Sequence, residues 1–184
     1  FPTRRSSDLV GENGIGKSTF LRKLSGLENE KGSHFSLFGK ELSKRQRLAL
    51  SAMVMQDVNQ QLFGDSVEEE MELGKTGKKR GLKEISEGII DKRENEQNRP
   101  KPHNTTKEEF LSALGLSALK DRHPMSLSGG QKQRLALAAT LYQEAKLFFF
   151  DEPTSGMDQK NMLRIASLLK SAIREDRIFF IVSH

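Results

Sequence analysis

Gly11-Glu12-Asn13-Gly14-Ile15-Gly16-Lys17-Ser18-Thr19 fits the pattern G-x-x-x-x-G-K-[ST], and this loop restricts the possible fold more than any other stretch of the chain. Each fixed position has a mechanical reason. Glycines let the backbone wrap close to phosphate oxygens, so that consecutive N–H groups and the N-terminus of the following helix point at negative charge. Lys17 is then placed to reach the β- and γ-phosphates, and the Ser18 hydroxyl to ligate Mg²⁺. The loop requires a strand before it and a helix after it. Phe20, Leu21, Leu24 and Leu27 supply an apolar helix face, whereas the strand feeding the loop is reduced to Leu9-Val10.

Three more short apolar runs end in polar residues. Leu147-Phe148-Phe149-Phe150 is uncharged and runs into Asp151-Glu152, which reads as a buried parallel strand delivering acids to its carboxyl end, where open α/β sheets bind ligands. There Asp151 is placed to hold Mg²⁺ and Glu152 to polarise an attacking water as general base. Taken singly, an Asp-Glu pair after such a run is more often a solvated strand exit. Ile178 to Val182 ends in Ser183-His184, and Ala52 to Met55 ends in Gln56-Asp57; alone, His184 reads as an exposed strand end and Gln56 as an ordinary loop amide. Ser128 followed three residues later by Gln131 fits a helix-capping pattern, continued by the apolar positions Leu135, Leu137, Ala138 and Leu141 of an amphipathic helix. A helix beginning with Gly129-Gly130 also offers free amides to an anion.

Read together and in order, these segments resemble the ATP-binding domain of ABC-type ATPases. Leu127-Ser128-Gly129-Gly130-Gln131 matches that family's signature, and Asp151-Glu152-Pro153-Thr154-Ser155-Gly156-Met157-Asp158 resembles its Walker B motif plus D-loop. The resemblance implies a fold and a set of roles. The fold is a P-loop NTPase parallel sheet flanked by helices, with an ABC-type helical subdomain at 66–126. Gly11, Glu12, Asn13, Gly14, Ile15, Gly16, Lys17, Ser18 and Thr19 would bind ATP. Ser18, Gln56 and Asp151 would hold Mg²⁺, with Glu152 as base and His184 as the switch contacting the γ-phosphate. Ser128, Gly129, Gly130 and Gln131 would close on ATP held by another subunit in a head-to-tail nucleotide-sandwich dimer, and Asp158 would help link the two sites. Gln56 would alternatively act in catalysis by orienting water, and would also report nucleotide state to a transmembrane partner.

Gln56-Asp57-Val58-Asn59-Gln60-Gln61-Leu62-Phe63 and Ser66-Val67-Glu68-Glu69-Glu70 resemble the corresponding region of energy-coupling-factor importers, which take up vitamins or metal ions, and His123 to Leu127 agrees with that subgroup. The expected function is therefore an ATP-hydrolysing importer subunit on the cytoplasmic face of the membrane. Its partners would be a second ATPase domain, identical or sister and possibly fused in one polypeptide, and transmembrane subunits. Non-transport members of the family, translation factors or DNA-repair ATPases, are the rival; they usually bring a second ATPase domain or a heptad coiled coil, and no heptads occur here. A non-catalytic half-site is the third possibility, against which Glu152 and His184 count.

Charge bears on the rival. The formal net charge is +5, but residues 75 to 107 carry ten Lys/Arg against five Asp/Glu, leaving 20 of each sign in the rest of the chain. The excess thus sits in this stretch, nearly all of it in 75–105, a segment rich in Lys, Glu, Asn and Gly and poor in strong apolar residues, which reads as a flexible insertion rather than a nucleic-acid face. Ser66 with Glu69 and Thr106 with Glu109 read as capping boxes opening helices on either side of it. Beyond Asp158, the positions Met162, Ile165, Ala166, Leu169 and Ile173 predict a helix packed on a sheet face.

The chain has no cysteine, no N-terminal apolar signal stretch and no apolar run approaching the roughly 18 residues of a membrane span, which predicts a soluble cytoplasmic chain. Its 184 residues suit one domain, 9–184. Both ends look cut. Phe1 to Asp8 shows neither alternation nor an apolar run and resembles translated adapter sequence, and the antiparallel β-layer and adenine-stacking aromatic of the family have no counterpart before Gly11. A chain of this extent alone is expected to be unstable or inactive.

Overall fold

The computed structural model describes residues 6–10, 15–29, 31–37, 39–76, 106–173 and 177–183. Gly11 to Gly14, His184 and the basic segment from 77 onward lie outside these. The described strands are β1 (Ser6–Val10), β2 (Ser36–Leu37), β3 (Lys40–Glu41), β4 (Ser51–Val54), β5 (Leu147–Asp151) and β6 (Ile178–Ser183). The described helices are α1 (Lys17–Ser25), α2 (Lys44–Leu50), α3 (Val67–Thr76), α4 (Lys107–Ala113), α5 (Gly129–Tyr142) and α6 (Gln159–Ala172).

Four strands form one parallel sheet in the order β1-β6-β5-β4, while β2 and β3 make a two-residue antiparallel ladder apart from it. Phenylalanines set the sheet's two faces. Because side chains alternate along a strand, Phe148 and Phe150 face one way and Leu147 and Phe149 the other. The β5–β6 register puts Phe148 beside Phe179 and Phe149 beside Phe180, and both pairs stack with ring centroids 5.0 Å apart. Phe148, Phe149, Phe150 and Phe179 are all fully or almost fully buried, each worth about 1.5–3 kcal/mol of transfer free energy.

Phe148, Phe150 and Phe179 join a large core with Val67 and Met71 of α3, Phe110 of α4, Leu135 to Ala139 of α5 and Ile165 and Leu168 of α6. Phe149 and Val182 join a smaller one with Leu21 of α1 and Leu50 of α2. Helices therefore cover both faces, as the sequence pattern of strands and helices predicts, and the segment 66–126 shares the main core through α3 and α4.

Four local expectations are corrected. β1 is five residues long, not the two of Leu9-Val10, because Ser6, Ser7 and Asp8 also pair with Phe179, Phe180 and Ile181 of the apolar strand β6. In α1 only Leu21 and Leu24 turn inward; Phe20 and Leu27 are 47% and 43% exposed, the latter lying beyond the helix end. The helix α5 is not amphipathic in its second half, where every residue from Leu135 to Leu141 is buried. In α6 the buried stripe is Ile165, Leu168 and Ala172, with Leu169 beside it, while Met162, Ala166 and Ile173 are exposed.

Candidate functional site

Sheet order brings the sequence-predicted groups together. β6 lies between β1 and β5, with Ser183 level with Val10 and Val182 level with Asp151. β1, β5 and β6 thus end at the same carboxyl edge, where parallel sheets bind ligands, with Asp151 closing β5 and Glu152 following it. Gln56 leaves the same edge two residues beyond β4.

On the loop side, Gly16 is the N-cap of α1 at φ 97°, a left-handed conformation that costs glycine nothing. It gives α1 no side-chain cap, and helix N-termini attract anions. Lys17 and Ser18 occupy the first turn.

On the acid side, Asp151 is 3% exposed, and its Oδ1 is buried without a hydrogen-bond partner. An orphaned carboxylate oxygen is costly unless a ligand meets it. Asp151 lines one cleft with Ser18 and Gln56, the three residues expected to hold Mg²⁺, together with Arg22, Asp57 and Gln60. Hard oxygen donors converging on one cleft fit that ion.

Glu152 follows at φ 51°, the one non-glycine residue at positive φ among those described. Backbone contacts hold it there: its N–H donates to Val182 O at 3.1 Å, and its carbonyl accepts from Ser155 N at 3.1 Å and from Gln133 Nε2 at 3.2 Å. Such conformations cost on the order of 1–3 kcal/mol and cluster where a side chain must be aimed.

Ser128 and Gln131 form the expected capping box, with Gln131 N donating to Ser128 Oγ at 3.4 Å and Ser128 N to Gln131 Oε1 at 2.8 Å. Gly129 and Gly130 border a second cleft, lined also by Gln56, Asp57, Lys132, Gln133, Ser155 and Gly156. The signature residues do not line the cleft of Ser18 and Asp151; Gln56 and Asp57 border both. Asp158 caps α6 by accepting from Asn161 N at 2.8 Å and Asn161 Nδ2 at 2.9 Å.

Several side chains given no individual role by the motifs hold the loops around the site. Asp57 caps the turn Val58–Gln60; hydrogen bonds from the Asn59 side chain and backbone and from Gln60 hold its carboxyl below the usual range. Asn59 in turn accepts from Lys132 Nζ at 2.9 Å, tying the turn to α5. Glu70, 6% exposed in the first turn of α3, accepts from Phe63 N and Gly64 N, both at 2.7 Å, and fixes the far end of that loop. Burial lowers the Arg134 guanidinium from its ordinary value, Arg164 adding to the effect and Asp158 opposing it.

A family model described as "ABC transporter" matches residues 3–155. A putative ABC transporter ATP-binding protein of Treponema denticola is 39% identical over 176 residues, spanning 96% of this chain and 31% of that protein. The energy-coupling factor transporter ATP-binding protein EcfA2 of Symbiobacterium thermophilum is 30% identical over 185 residues, 96% of this chain and 57% of that one. Among solved structures, a bacterial Atm1-family ABC exporter with ATP bound superposes with a TM-score of 0.72 at 21% identity, over 98% of this chain and 30% of the other. The complex of an archaeal ribosomal stalk protein with the ribosome recycling factor aABCE1 gives 0.66 at 26% identity, over 97% and 28%. The chain spans about a third of the length of the Treponema relatives it matches.

Proposed function

The chain belongs to the ABC transporter family, and on that basis we propose that it binds and hydrolyses ATP as the motor of a small-solute importer of the energy-coupling-factor type. The observation that carries the chemistry is the buried, unpartnered Oδ1 of Asp151 in a cleft shared with Ser18 and Gln56. These three residues would hold Mg²⁺, which when bound neutralises charge on the phosphates during their transfer.

The amides opening α1 and the Lys17 ammonium grip the phosphates. Glu152, held beside Asp151 with its backbone pinned, takes a proton from the attacking water. His184, following the strand between the loop and the acids, contacts the γ-phosphate. Ser128, Gly129, Gly130 and Gln131 meet the ATP of a second ATPase domain. That Gly129 and Gly130 border a different cleft from Ser18 and Asp151 supports a role in trans, with Asp158 helping to link the two sites. The domain would sit at the cytoplasmic face of the membrane beneath transmembrane subunits, and no helix among the described residues is long and apolar enough to cross a membrane itself. The energy-coupling-factor assignment is supported by three relatives so named, at 28–30% identity.

Replacing Glu152 by Gln in the intact protein should trap an ATP-bound dimer, with hydrolysis cut to a small residual rate. Normal turnover by that variant removes Glu152 from the base role. The likeness to a ribosome recycling factor favours a second reading, an ATPase working on ribosomes; co-purification with membrane subunits rather than ribosomes separates the two.

A further inference from the structure

We propose that Gln133 is a positioning residue for hydrolysis: from the signature helix it holds the backbone of Glu152, so that the helix closing on one nucleotide also aims the base acting on the other. The inference rests on the reading of Glu152 as the base.

Gln133 stands in the second turn of α5, 8% exposed, where a free amide would be costly. Its Nε2 donates to the Glu152 carbonyl at 3.2 Å across 19 residues of sequence. That carbonyl belongs to the residue at φ 51°. A non-glycine residue persists in this region only when its surroundings over-determine it. Three structural elements do so here: β6 through Val182 O, the following turn through Ser155 N, and α5 through Gln133. The first two are backbone contacts that a side-chain substitution leaves in place. Gln133 is a side-chain contact, and it comes from the helix whose first residues, Gly129 and Gly130, border the other cleft, which Gln133 also lines. Relaxation of Glu152 to negative φ would re-aim its Cα–Cβ bond and carry the carboxylate away from its water. A rigid helix displaced at Gly129 moves Gln133 with it, one turn further on. Occupancy at the trans nucleotide thereby acts on the cis base.

The test uses the intact protein with Gln133→Met, which keeps side-chain length without the donor, and with Gln133→Leu, each alone and combined with Glu152→Gln. Turnover should fall about three- to tenfold, the worth of one hydrogen bond, while KM for ATP stays unchanged. In the Glu152→Gln background, the residual single-turnover rate should not fall further, because the residue being aimed is already disabled. Equal losses in both backgrounds, unaltered turnover, or failure of both variants to fold would each overturn the proposal. Should Glu152→Gln alone hydrolyse ATP normally, the underlying reading fails instead, and that outcome is distinguishable because it needs no change at Gln133.

Discussion

Alanine at Gly130 separates a helix that is merely well capped from one that meets a phosphate. Gly129 and Gly130 are the first two residues of α5, and neither sits at positive φ. A Cβ built on Gly129 meets nothing within 4 Å, and one on Gly130 meets only Arg134 Nη1 at 3.7 Å, ordinary van der Waals contact. Within the chain itself the substitution is therefore free of strain. Alanine is preferred over glycine in a helix interior by about 1 kcal/mol, and by less in a first turn. Stability should accordingly hold or rise by up to about 1 kcal/mol, roughly 2–4 °C for a domain of this size. If the amides at this helix end bond a partner's γ-phosphate, the added methyl blocks that approach and forfeits a charge-assisted hydrogen bond worth about 1.5–3 kcal/mol, or about ten- to a hundredfold in turnover. Thermal unfolding and steady-state ATPase of one preparation of Gly130→Ala measure both quantities. Unchanged turnover refutes the close approach of a phosphate, and a lowered melting temperature refutes the open space on which the calculation stands.

Other perturbations test the site's supports. Glu70→Leu should cost about 1–3 kcal/mol in chemical denaturation by stranding the buried Gly64 amide, and Glu70→Gln, which keeps an acceptor, should cost less; equal losses would dismiss the hydrogen bonds as the cause. Lys107 Nζ reaches Glu68 Oε1 at 2.6 Å and Glu72 Oε1 at 3.4 Å. Hydrogen bonding, with charge behind it, lowers Glu68 from its ordinary 4.5 and raises Lys107 above 10.5, burial opposing in each case. The depressed carboxyl stabilises above 4.5 and loses this as pH falls through its folded value, and the raised ammonium stabilises below 10.5 and loses this as pH rises through its own. The melting-temperature gap between wild type and Lys107→Met should thus be widest between those limits and close in acid; a gap that persists in strong acid contradicts the ion pair. Asp151→Asn should weaken the affinity for the Mg²⁺ that supports ATP binding, read as a rise in the Mg²⁺ concentration for half-maximal binding, and an unshifted titration would dissociate Asp151 from the ion.

Much of this arrangement is legible in the chain because local chemistry dictates it. Runs such as Leu147 to Phe150 can only be buried on both faces, and Ser128 with Gln131, or Thr106 with Glu109, announce helix starts that appear as capping boxes. Ser43 with Gln46 carries the same signal and opens α2, although no apolar periodicity draws the eye to it. What stays hidden depends on pairing between distant segments. Ser6, Ser7 and Asp8 have no strand propensity to speak of and are extended because β6 lies alongside them. The rotation of α6 by one position follows from the surface it meets, which periodicity in a single helix does not specify. Gln133 and Glu70 look like ordinary helix polar residues until the loops they hold are seen in place.

The position of β6 has a further consequence for how the molecule comes into being. It is the last strand in sequence among those described, yet it stands inside the sheet, joined on one side to β1 and on the other to β5. During synthesis the first strand must wait, its edge unpaired, while more than 160 residues are added before its only described neighbour exists. Long-range parallel pairing of this kind forms slowly and leaves sticky margins exposed meanwhile. The same late arrival that completes the sheet also decides when the nascent chain ceases to be a hazard to itself.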